Sequence, residues 1–285
     1  MVSTSVGLNR DTSDKFYTRV DVAEHFINML LQNVELTSDD IFLEPSAGNG
    51  AFSTMLFKQF PNVFAYDIIP QDPKIITANF LELNINFPEG TKVHTIGNPP
   101  FGRQSTLAKK FIKKCVQFSS TVAFILPRSF KKPSFSSVFP PEFHMIYSED
   151  CPNDAFVING TNYNVPCVFQ IWVRKDHIRD KEYTETPQGY SFVKQGNNHT
   201  FAIRRIGVYA GKCVYNEVDK VSQQSHYFIK ISENNDIDIE RFYTLYEKVE
   251  YPQDNTVGPR SISKNEITIK INAVLRQVNN VTLIF

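Results

Sequence analysis

Ile41-Phe42-Leu43-Glu44-Pro45-Ser46-Ala47-Gly48-Asn49-Gly50-Ala51-Phe52 reads as a buried strand, a Gly-rich turn and the start of a helix. This is how α/β folds make a binding site at the carboxyl end of a strand. A second run, Val93-His94-Thr95-Ile96-Gly97-Asn98-Pro99-Pro100-Phe101-Gly102, repeats the design with a different turn. Its two prolines remove backbone donors and fix φ, which predicts a rigid, exposed corner. Between them Val63-Phe64-Ala65-Tyr66-Asp67 is a short apolar strand ending in a carboxylate 23 positions after Glu44, about one βαβ step. A carboxylate there is placed to accept from ribose hydroxyls. The absence of side-chain bulk along Ala47-Gly48-Asn49-Gly50 lets the backbone approach a ligand closely.

These residues carry a resemblance. The segment 41–103 resembles the core of class I S-adenosylmethionine-dependent methyltransferases, and Asn98-Pro99-Pro100-Phe101 is similar to the turn of those that methylate the N6 amine of adenine. Upstream, Asp14-Lys15-Phe16-Tyr17-Thr18 followed by a helical pattern resembles the extra cofactor motif of adenine DNA methyltransferases of phages, viruses and restriction systems. A similar Lys-Phe-Tyr-Thr start occurs in the mRNA-cap adenosine methyltransferases. The resemblance spans residues 14–175 and implies a Rossmann-like α/β sheet with an antiparallel last strand.

It also implies S-adenosyl-L-methionine as cofactor. Phe16 and Thr18 would close over its methionine end, Ala47, Gly48 and Gly50 would receive that moiety, Asp67 would take the ribose side, and Ile68 is a further cofactor-binding candidate. Glu44 would sit near the ammonium or hold the loop. The family's further acidic contact to the cofactor adenine falls on Asn79, whose amide oxygen can still accept a hydrogen bond. At the acceptor turn, Asn98 and the Pro99 carbonyl would each accept one N–H of a flipped adenine, with Pro100 stiffening the turn and Phe101 stacking on the base.

Composition sets the limits around this core. The 285 residues include 24 Phe and 12 Tyr, ample for one α/β domain plus an appendage. No apolar run approaches a membrane span and the amino terminus lacks a signal-like core, so a soluble, intracellular protein, cytoplasmic or nuclear, is expected. Cys115, Cys151, Cys167 and Cys213 are scattered, which disfavours structural zinc and leaves buried thiols. The six histidines show no ligand spacing, so no metal is expected.

Net charge is zero, yet charge is segregated. From Phe101 to Pro141 there are eight basic and no acidic residues, whereas Ser232 to Gln253 is mainly acidic. Within the basic block Arg103, Arg128, Lys131 and Lys132, with Phe130 as a stacking ring, are candidate nucleic-acid contacts, and Arg204 and Arg205 are two more. The lysines of 109–114 read as a solvated helix face.

The domain expectation is a methyltransferase domain over 1–174, a charged linker over 175–189 and a β-rich recognition or accessory region over 190–285. Strands are expected at 75–81, 121–126, 143–147, 165–173, 190–193, 201–206, 208–210 and 227–231, and helices at 52–60, 106–118 and 237–249. The leading function is N6 methylation of adenine in nucleic acid, with DNA slightly ahead of RNA. The alternatives are methyl transfer to a protein glutamine amide and a silent subunit that keeps the fold.

Overall fold

The computed structural model describes residues 16–180, 183–233, 237–251 and 260–279. The chain divides into two compact units, Met1–Asp180 and Lys181–Phe285. Asp14 and Lys15 of the upstream motif lie outside the described residues.

In the first unit the elements run β1 (Tyr17–Thr18), α1 (Val20–Asn33), β2 (Ile41–Glu44), α2 (Ser53–Gln59), β3 (Val63–Asp67), β4 (Ile76–Thr77), β5 (Val93–Gly97), α3 (Thr106–Cys115), β6 (Thr121–Pro127), α4 (Pro133–Ser136), β7 (Phe143–Asp150), β8 (Phe156–Ile158), β9 (Thr161–Tyr163) and β10 (Cys167–Arg174). One seven-stranded sheet has the order β4-β3-β2-β5-β6-β10-β7. Neighbours from β4 to β6 pair in parallel, whereas β10 pairs antiparallel with both β6 and β7. The chain order reverses between β2 and β5, so the loops leaving those strands diverge and open a crevice at their carboxyl ends.

Both faces of the sheet are covered, which is why β5 and β6 are buried along their whole length and β6 reads as a nearly continuous apolar run. On one face α1 buries Val22, Ala23, Phe26, Ile27 and Leu30, with the Phe26 ring stacked on Phe169 of β10 at 4.2 Å. α3 turns Ala108, Phe111, Ile112 and Cys115 inward, where they join Phe80, Phe124 and Trp172 in one core cluster.

Several local expectations change. The strand expected over 75–81 is only Ile76–Thr77, because Asn79 breaks it by capping the 3₁₀ turn Phe80–Glu82. β7 runs on to Asp150, and β8 and β9 form an unexpected hairpin whose first strand pairs with β1. The charged stretch read as a linker is held at both ends. The Arg179 guanidinium donates to four carbonyls, those of Ser136, Phe139, Pro140 and Phe143, in the first unit. Glu185 pairs with Arg276 in the second.

The second unit is a four-stranded antiparallel sheet, β11 (Tyr190–Val193), β12 (Phe201–Arg204), β13 (Cys213–Val214) and β14 (His226–Ile231), in the order β11-β14-β12-β13. One face packs on α5 (Ile239–Tyr246) and α6 (Lys264–Asn279) through Phe201, Ile203, Ile229, Phe242, Ile267 and Ile271. The strand expected at 208–210 is instead a turn between Gly207 and Gly211, whose φ angles are +88° and +100°. A Cβ on Gly211 would lie 2.6 Å from the Tyr251 ring, so only glycine fits that close approach.

Candidate active site

The crevice at the β2/β5 reversal is a cavity of about 490 Å³. Among its lining residues are Phe16, Thr18, Glu44, Ala47, Gly48, Asp67, Ile68, Asn79, Asn98, Pro99, Pro100 and Phe101. Every cofactor and catalytic candidate from the sequence is therefore brought together except Gly50. That residue, at φ +78°, shapes the turn from behind: its N–H donates to the Ala47 carbonyl at 2.7 Å and its carbonyl receives the Thr54 N–H.

The floor is the loop after β2. Gly48, at φ +54°, has the Tyr17 ring so close that an added Cβ would sit 2.9 Å from it. Its N–H donates to Asp67 Oδ2 at 2.8 Å, and the Ile69 N–H donates to Oδ1 at the same distance. Asp67 thus joins the loops after β2 and β3, and each oxygen keeps lone-pair capacity for a further donor. Ile68, 63% exposed, forms the outer lip.

Glu44 is 2% exposed and accepts the Ser53 N–H at 2.8 Å, which places its carboxyl at the amino end of α2. Burial pushes its pKa up to about 8, with the nearby Asp67 charge adding to the rise. The side chain holds the loop, and its acidic group lines the cavity without a cationic partner among the described residues.

The roof is β1. It is held by pairing Tyr17 with Val157 and Thr18 with Phe156, by the Phe16 ring lying 5.6 Å from Tyr163, and by Gln71 Nε2 donating to the Tyr17 hydroxyl at 2.6 Å. Neither Tyr17 nor the hairpin was singled out by sequence reasoning. Tyr17 stood inside the quoted motif, but nothing local in the sequence marks the hairpin as its support.

At the acceptor turn Asn98 Nδ2 donates to the Phe16 carbonyl at 3.0 Å. Only the NH2 end of an amide can face a carbonyl, so the contact fixes the amide and leaves Oδ1 as an available acceptor. Ser46 Oγ donates to the Asn98 carbonyl at 3.3 Å, and the Phe101 carbonyl receives the Leu107 and Ala108 N–H groups. Phe101 is half-buried with its ring against the core cluster, at the cavity wall. Asn79 Oδ1 already accepts the Leu81 N–H at 3.2 Å, so this amide primarily shapes the wall.

Within the first unit the nucleic-acid candidates do not form one surface. Arg103 is exposed beside the acceptor turn. Phe130 is 3% exposed and packed in the core against Phe135, which removes it as a stacking ring for a base; the 3₁₀ turn Arg128–Lys131 points it inward. Lys132 is 7% exposed, and Arg128 and Lys131 face Asp150 at 3.7 and 3.1 Å, so this loop presents less charge than its sequence suggests. Arg204 and Arg205 belong to the second unit, where their guanidinium groups donate to the carbonyls of Ile206 and Gln224.

The residues present suit a molecule with a cationic amino-acid end and a nucleoside end. Gly48 is a cradle that a Cβ would fill, Asp67 offers acceptor capacity, and Glu44 is a buried carboxyl. The strand order and the single antiparallel strand β10 decide the fold. It is the class I S-adenosylmethionine-dependent methyltransferase fold.

No family model matches the chain. It is 28% identical over 101 residues to an rRNA adenine N-6-methyltransferase of Limosilactobacillus reuteri, an alignment covering 32% of this chain and 41% of that protein. The chain thus matches about two fifths of that relative's length. Among solved structures, the N-methyltransferase NodS of Bradyrhizobium japonicum superposes with a TM-score of 0.39 at 10% identity, over 55% of this chain and 96% of that one. The Streptococcus mutans protein SMU.1697c, solved in complex with SAH, gives 0.36 at 18% identity, over 55% and 97%. The fold assignment rests on the topology and not on these scores. Among the described residues no group of His, Cys, Asp or Glu could hold a metal, and no helix is long and apolar enough to cross a membrane.

Proposed function

We propose that the protein methylates the N6 amine of adenine in nucleic acid, with RNA as the acceptor and S-adenosyl-L-methionine as the donor. The observation that carries this is the Asn98 amide, tied by Nδ2 to the Phe16 carbonyl so that Oδ1 is offered to an incoming N–H. The relative named for rRNA adenine methylation supports RNA over the DNA preference of the sequence reading.

When bound, S-adenosylmethionine supplies an electrophilic methyl group on a sulfonium. Asp67 would accept from its ribose hydroxyls, and Glu44, ionised against a cation, would balance its charge. An exocyclic amine is a weak nucleophile because its lone pair is delocalised into the ring. Asn98 Oδ1 and the Pro99 carbonyl, each accepting one N–H, would draw that nitrogen toward tetrahedral geometry and free the lone pair. Phe101 would stack on the base, a contact worth roughly 1–3 kcal/mol. In such a transfer the N6 lone pair would form the new N–C bond as the donor's S–C bond breaks, and the amine would then shed one proton to water. The chain's contribution is positioning.

The test is transfer of a labelled methyl group to oligoribonucleotides, single- and double-stranded DNA and a protein extract, followed by nucleoside mass analysis. N6-methyladenine in RNA is expected. Label confined to protein amides, or no transfer despite tight cofactor binding, overturns the reading.

A further inference from the structure

A second concavity of about 660 Å³ opens beside the cofactor cavity and shares Asn79 and Leu81 with it. Its walls are the 81–85 segment, a face of α3 that includes Lys110, Lys113 and Lys114, and Gln117 just beyond the helix end. The four lysines of α3 are not equivalent. Lys109 lies with its ammonium 4.6 Å from the centre of the Phe135 ring. Lys114 donates to the carbonyls of Phe80 and Leu83, where desolvation lowers its pKa, and so it fastens the wall of the cleft.

Lys110 and Lys113 are exposed and have no hydrogen-bond or carboxylate partner among the described residues. With Thr106 they stand three and four residues apart, all exposed, which makes one line about 10 Å long on the helix. Arg103, also exposed, precedes that line directly after the acceptor turn, and the exposed Gln117 follows it. Glu82 is the only carboxylate on the cleft walls. A solvated helix face explains lysines that point outward at random. It does not explain two unpaired ammonium groups on one line that begins at Thr106, just after the acceptor turn in sequence, and ends in a cleft sharing Asn79 and Leu81 with the cofactor cavity.

We propose that this line is a track for the phosphodiester backbone of single-stranded RNA. Arg103, Lys110 and Lys113 take successive phosphates of the strand flanking the target base, leading it from Phe101 along α3 to the cleft at Leu81–Ile85. The proposal rests on the nucleic-acid reading of the acceptor. Phosphate contacts of this kind set register and affinity without reading sequence.

The test measures binding of a short fluorescein-labelled single-stranded oligoribonucleotide by anisotropy over a range of salt concentrations. It compares the full chain with the K110Q/K113Q variant and with Lys58→Gln, an exposed lysine on α2. Neutralising two phosphate contacts on a single strand should flatten the slope of log K against log salt by about 1.4. Binding should weaken several-fold at low salt, the methyl-transfer KM for the oligonucleotide should rise, and S-adenosylmethionine affinity should stay unchanged by calorimetry. Lys58→Gln should leave the slope as it is. An unchanged slope in K110Q/K113Q, while the wild type still methylates RNA, overturns the track alone. A wild type that neither binds nor methylates the oligoribonucleotide overturns both readings, and the same slope change seen only with DNA overturns the RNA assignment.

Discussion

Asn98 at the acceptor turn and Phe16 in the roof are joined by one hydrogen bond, Nδ2 to carbonyl at 3.0 Å, across 82 residues of chain. In the proposed site this bond would orient a group for the acceptor and, through the backbone of the roof, would bear on the cofactor side as well. Substitutions at Asn98 therefore report on both halves of the site.

Asn98→Ala should abolish transfer and also weaken S-adenosylmethionine binding, by about 1 kcal/mol or roughly fivefold, the net worth of one hydrogen bond. Asn98→Asp should behave alike, since a carboxylate cannot donate to the Phe16 carbonyl. Single-turnover transfer with calorimetry separates the two effects. Unchanged cofactor affinity in both variants would break the proposed link to the roof.

Asp67→Asn should lower cofactor affinity by roughly 10- to 100-fold. It removes a charge-assisted acceptor from two backbone N–H groups, besides the one proposed toward the ribose. Turnover at saturating cofactor should fall far less. A calorimetric titration beside saturated rates is the check, and a kcat collapse with unaltered affinity would contradict the placement.

Glu44 should make both stability and binding depend on pH. Its folded pKa is raised from 4.5 to about 8, so the folded chain holds this proton more tightly than the unfolded chain. The stabilisation is fully present below 4.5 and is lost as pH rises through about 8. A cationic ligand favours the ionised form, so cofactor-induced stabilisation should grow over the same window. Glu44→Gln should flatten both dependences in thermal unfolding scans with and without S-adenosylmethionine.

Phe130→Ala should destabilise the fold by about 3–5 kcal/mol, the cost of emptying a buried aromatic site. Oligonucleotide affinity measured well below the lowered melting temperature should not change. A selective loss of binding with intact stability would restore Phe130 to the surface role its sequence suggested.

The sheet and the cavity were legible because their signals are local. Apolar runs such as Thr121 to Leu126 declare buried strands, and the turns carrying Gly48 and Asn98 follow strands directly. What escaped depends on distant partners. The hairpin of β8 and β9 is short and polar at its tip, and only its pairing with Tyr17 and Thr18 gives it meaning. Nothing around Phe130 in the chain says which way a 3₁₀ turn will point a ring. In α6, Ile267-Thr268-Ile269-Lys270-Ile271 alternates like a strand, yet Ile267, Ile271, Val274, Leu275 and Val278 form the buried helical face that prevails.

The roof also orders events during synthesis. Arg19, at its edge, meets Asp154 across 135 residues, and Thr18 pairs with Phe156. Loops that long close late, because their entropy cost falls due before any contact repays it. A nascent chain released only as far as Pro99 owns Glu44, Asp67, Asn98 and the Pro99 carbonyl, the polar groups proposed for the chemistry. It would still lack the means to enclose a ligand, and competence would arrive only when the hairpin after Asp150 folds back onto β1.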